Sequence, residues 1–127
     1  MAIGKQTGEF AYKSTSVTYA ATETERTVQA NCEGTVTIAG VTNPSQGTLI
    51  AHVTPGAKTG TCSWAGVLYL NNGEEIHNKG EGTWEKTGAH KWRVRSFLYR
   101  SDGITRLIEG EVDLATRSYS GAAYESN

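Results

Sequence analysis

Val28-Gln29-Ala30-Asn31-Cys32-Glu33-Gly34-Thr35-Val36-Thr37-Ile38 changes character at every step. The even positions are apolar or small and the odd ones are polar. A period of two is the mark of an extended strand with one face in an apolar interior and one in water. The pattern recurs at Trp92, Val94, Ser96 and Leu98 against Arg93 and Arg95. It recurs again at Ile108, Gly110, Val112 and Leu114 against Glu109, Glu111 and Asp113. No window shows the same order at helical spacing. The chain therefore reads as an all-β, antiparallel domain.

Turn signals divide it further. Asn43-Pro44-Ser45-Gln46-Gly47, Pro55 to Gly60, Asn71-Asn72-Gly73, Thr87 to His90 and Ser101-Asp102-Gly103 all carry residues that favour tight turns. Residues 19–27 read as a polar loop. The extended segments between are 7–19, 25–39, 47–54, 61–70, 74–86, 91–100, 104–115 and 117–124. Short connections throughout predict an up-and-down meander of eight strands closing into a barrel. A two-sheet β-sandwich is the alternative, but it calls for longer crossovers. Glycines inside strands (Gly34, Gly66, Gly80, Gly82, Gly110 and Gly121) supply the sharp bends that closure needs.

At 127 residues the chain forms one domain, 1–127. Its 12 basic and 13 acidic residues leave a net charge of −1, which argues against nucleic acid as a partner. No apolar run approaches the roughly 20 residues that span a bilayer, and the N-terminus lacks a signal-peptide layout. A cytoplasmic protein with no membrane partner is the expectation. Cys32 and Cys62 fall on apolar positions and read as buried thiols in preference to a disulfide. No His or Cys pair has metal-ligand spacing, so neither a metal nor a cofactor is expected. A G-x-S-x-G phrase is absent, and Gly80-Glu81-Gly82 sits in a strand pattern with no helix after it, so it is not a phosphate loop. Glu109/Glu111 and Glu74/Glu75 read as solvent-facing and not as a glycosidase acid pair.

The inward set carries what chemistry there is. Tyr12, Trp64, Leu68, Asn78, Trp84, Trp92, Ser96 and Arg106 are the candidate ligand-binding residues. Large flat rings beside glycines are expected to leave grooves, and an aromatic pocket with a few polar groups suits a small molecule. Arg106 is an unusual inward residue and a natural anchor for a carboxylate or an enolate-like oxygen. Arg100, close to a turn, reads as solvated. His52 is the best general acid or base, so His52 and Arg106 are the catalytic candidates should a reaction occur. Phe97 and Tyr99 beside Arg93 and Arg95 have the composition of an interface, and a homodimer through that strand is expected.

Gly80-Glu81-Gly82-Thr83-Trp84, the run Trp92 to Tyr99 and Glu109-Gly110-Glu111-Val112-Asp113-Leu114 resemble small bacterial calycin-like and allene-oxide-cyclase-like barrels. The resemblance covers residues 60–124. It implies an interior that holds apolar ligands, carried in some members and cyclised or isomerised in others. The lipocalin Gly-x-Trp phrase is missing, with Gly8-Glu9-Phe10 in its place, and no catalytic residue transfers. Three readings follow: a barrel binding an apolar or aromatic ligand among its tryptophans, a cofactor-independent cyclase or isomerase that shapes and shields its substrate, and a filled structural or assembly module.

Overall fold

Alternation along a strand leaves one apolar face to bury, and this chain buries it by curling the sheet upon itself. The computed structural model describes residues 3–126, which form strands and turns with no helix. The strands are β1 (Ile3–Ala21), β2 (Arg26–Ile38), β3 (Val41–Val53), β4 (Thr59–Tyr69), β5 (Glu75–Gly88), β6 (Lys91–Arg100), β7 (Thr105–Asp113) and β8 (Ser118–Ser126). Each pairs antiparallel with the next, and β8 returns to β1, with Phe10 opposite Gly121 and Tyr12 opposite Tyr119. The barrel is closed, with the β1–β8 ladder ending at Lys13 and the β3–β4 ladder running from Ser45 to Ala51.

Two ends result. The terminal end holds residues 3 and 126 and the turns after β2, β4 and β6; the far end holds the turns after β1, β3, β5 and β7.

One expected turn is not a turn. Asn43 to Gly47 lies inside β3, and the chain reverses at Ala39-Gly40, whose φ angles are 50° and 79°. A tight hairpin needs positive φ at both central residues, and alanine gives no warning that it will adopt one. Pro44 is tolerated because the ladder between β3 and β4 begins only at Ser45, paired with Leu68. The polar loop at 19–27 shrinks to a turn between Ala21 and Arg26, flanked by the long strands β1 and β2.

Phe10, Tyr12, Trp64 and Tyr119 form an aromatic layer across the middle of the barrel. Ring centroids lie 5.0 Å apart for Phe10–Tyr119 and for Tyr12–Trp64, and 5.9 Å for Trp64–Tyr119. Tilted and edge-on pairs at these distances add to the burial energy of each ring. The Trp64 indole lies flat over Gly47 and Gly66, where a Cβ would collide with it. The glycines therefore seat this ring, and the expected groove beside it is filled. Space remains instead above and below the layer.

Candidate functional site

At the far end the inward positions enclose a basin of about 540 Å³. Ala30, Leu49, Ala51, Val53, Trp84, Trp92, Val94 and Val112 line its walls. The Trp84 indole N–H donates to the His52 carbonyl at 3.1 Å, so the ring is fixed by backbone and its face is left to the cavity. Cys32, Cys62 and Tyr119 also line the basin, and all three are buried. The two thiols are free, and burial pushes each up to about 11. They stay protonated at neutral pH and act as small apolar groups, not nucleophiles. Burial also raises Tyr119, with Cys62, Tyr12 and Cys32 adding to the effect. The mouth carries Lys58, Lys86, Arg117 and Asp113 beside the exposed Val17, Tyr19 and Leu114.

The terminal end is different. Its cavity is about 90 Å³, and its walls mix Leu68, Ile76, Leu98 and Ile108 with Asn78, Ser96, Arg100 and Arg106. Trp64 Nε1 donates to Asn78 Oδ1 at 2.7 Å. Ser45 Oγ donates to the Val67 carbonyl at 2.9 Å, so the Tyr12 hydroxyl, 2.8 Å away, donates to Ser45. Buried polar groups need such partners to avoid a desolvation cost of a few kcal/mol each. Arg100 is not the solvated residue its turn position suggested. Its side chain is only 15% exposed, and its guanidinium grips both Asp102 oxygens at 3.2 and 2.6 Å. Arg106 donates Nη1–H to the Thr105 carbonyl at 2.9 Å.

The candidate ligand-binding residues are thus divided. Tyr12, Trp64, Leu68, Asn78, Ser96 and Arg106 line the terminal cavity, while Trp84 and Trp92 line the far basin. The catalytic candidates are not brought together. His52 sits between the inward residues Ala51 and Val53, so it faces outward, where Nδ1 meets Glu25 Oε1 at 3.0 Å. Arg106 lies at the opposite end of the barrel. Leu49 and Tyr119 were missed. Apolar residues on both parities of β3 hid the first, and Tyr119 follows a turn whose Arg117 takes φ 53° without a glycine to announce it.

The outer face of β6 pairs the Phe97 and Tyr99 rings at 4.9 Å. Beside them Arg93 reaches Glu85 at 3.2 Å and Arg95 reaches Glu109 at 3.5 Å. Among the described residues no group of three or more His, Cys, Asp or Glu could hold a metal ion. Those residues contain no helix long and apolar enough to cross a membrane.

The protein is a closed, eight-stranded, antiparallel, up-and-down β-barrel with a roomy basin at one end and, at the other, a small cavity to which Asn78, Ser96, Arg100 and Arg106 add polar groups. No protein-family model, no curated protein and no solved structure matches the chain. The eight-stranded antiparallel barrel is consistent with a calycin-like fold.

Proposed function

We propose that the protein binds a small apolar or aromatic molecule in the far basin, between Trp84 and Trp92. The volume of about 540 Å³ carries this reading. It lies inside the roughly 300–1,000 Å³ range of small-molecule pockets, which are likewise mostly apolar. Ala30 and Ala51 keep the walls thin where larger residues would have filled the space. The protonated thiols add soft apolar surface and no competing charge. Ser96 and Arg106 do not anchor this ligand, because the aromatic layer stands between them and the basin. The cyclase or isomerase reading draws no support from His52 and Arg106, which face different surroundings. A calycin-like role as a carrier is in keeping with this basin. Self-association through the β6 face, by Arg93, Arg95, Phe97 and Tyr99, is a separate part of the proposal, and sedimentation as a monomer at micromolar concentration would count against it.

The test uses a neutral fluorescent aromatic, N-phenyl-1-naphthylamine. It should bind saturably at one site per chain, with energy transfer from the tryptophans. Ala51→Trp places a large ring in the basin that Ala51 lines. It should weaken binding at least about tenfold, equivalent to roughly 1.4 kcal/mol, while the denaturation midpoint holds. Absence of saturable binding to the native protein, or undiminished binding to a folded Ala51→Trp variant, would refute the proposal.

A further inference from the structure

We propose that the terminal-end cavity is a second binding site, independent of the basin and selective for a small carboxylate, with Arg106 as its anchor.

The argument is a count of donors and acceptors. A guanidinium has five N–H donors in a rigid fork. Arg106 spends Nη1 on the Thr105 carbonyl, and among the described residues no ion pair involves it. Arg100, on the same wall, provides the contrast: Asp102 already neutralises it with two hydrogen bonds. Asn78 accepts from Trp64 through its carbonyl, which fixes the amide plane and leaves the NH₂ group able to donate to a ligand. The Ser96 hydroxyl adds another donor to the lining. The cavity therefore presents the donors of Arg106, Asn78 and Ser96 beside the Glu9 carboxylate, and Arg106 is a half-buried cation with no ion pair among the described residues. A carboxylate matches the guanidinium fork with two charge-assisted bonds.

Size and shape narrow the class. About 90 Å³ admits a carboxylate on a short stem, and Leu98 and Ile108 offer that stem apolar contact. The aromatic layer closes the inner side, so a long chain cannot pass through. Two carboxylates of the protein stand near the mouth. Glu125 is opposite Arg106 in the β7–β8 register and is exposed, while Glu9 accepts a hydrogen bond from Gln6 at 3.3 Å. Glu125 makes no ion pair with Arg106, so an incoming carboxylate meets it only as a nearby like charge.

The experiment follows the Trp64 indole N–H signal of ¹⁵N-labelled protein, since that group is bonded to Asn78 at the cavity wall. Acetate, butyrate and benzoate are titrated at constant ionic strength, with butyramide as the neutral counterpart of butyrate. Saturable shifts are expected with at least one carboxylate and none with butyramide. Arg106→Gln should weaken binding about tenfold or more with the spectrum otherwise preserved. Arg106→Lys, which keeps charge but loses the fork, should fall between. Glu125→Gln should bind as tightly or more tightly. Ala51→Trp should leave carboxylate binding unchanged, which separates this site from the basin whatever the basin holds. Non-saturating shifts, an equal response to butyramide, or full affinity in both Arg106 variants would overturn the proposal.

Discussion

Follow β3 or β5 through the barrel and the inward residues change chemistry at the aromatic layer. On β3 they run from Leu49 and Ala51 at the far end to Asn43 and Ser45 at the terminal end; on β5, from Trp84 to Asn78. The far half is roomy, whereas the terminal half is smaller and sets hydrogen-bonded polar groups among its apolar walls. An inward polar group is tolerated where a partner satisfies it, as Ser45 does for Tyr12 and Asn78 for Trp64. An inward apolar group needs no partner, so it can border empty space. The comparison teaches that "inside" is not one environment in this molecule, and that the ring layer divides it in two.

Removing the layer is the most forceful way to break that division. Trp64→Ala deletes an indole packed against Tyr12 and Tyr119 and bonded to Asn78, and should cost about 3–5 kcal/mol in urea denaturation. A loss below about 1 kcal/mol would mean that the rings are fill and not a partition. The paired tyrosines sharpen the contrast with a smaller effect. Tyr12→Phe breaks a buried hydrogen bond to Ser45 and should cost about 1 kcal/mol. Tyr119→Phe removes a buried hydroxyl from the basin side at no comparable loss, so its stability should match or exceed that of the native chain. The opposite order in the same assay would reverse the assignment of polar and apolar ends.

The smallest effect at neutral pH concerns the thiols, which mark only the far half. Each is held protonated up to about 11 when folded, while an unfolded thiol ionises near 8.5. Between those values the native chain keeps protons that the unfolded chain gives up, so their contribution is intact below the lower value and falls as pH rises towards the upper. Replacing Cys32 and Cys62 by alanine should flatten the alkaline loss of stability relative to the native chain. The native thiols should also resist a disulfide reagent at pH 8 and react promptly in denaturant. Equal alkaline slopes in the two proteins would contradict the burial argument.

Much of this architecture was legible in the sequence. Alternation placed Phe10, Tyr12, Cys32, Trp64, Trp84 and Val94 on the inward face, and all are buried. Short connections pointed to a meander, and the strand order is sequential around the closed barrel. The turn at Ala39-Gly40 was not legible, because a non-glycine residue takes positive φ there while Pro44 and Gly47 imitate a turn within β3. The candidate site was half legible: its residues were named, but as one pocket and not two.

Side-chain order along the chain determined which face each residue takes, because the pleat turns every second side chain the same way. It could not determine height within the barrel or the neighbour across it. Tyr12 meets Ser45, and Trp64 packs on Tyr119, only after strands far apart in sequence have been staggered and closed. Closure and stagger are cooperative properties of all eight pairings, and they decided that the tryptophans line separate chambers and that Arg106 lies in the smaller one.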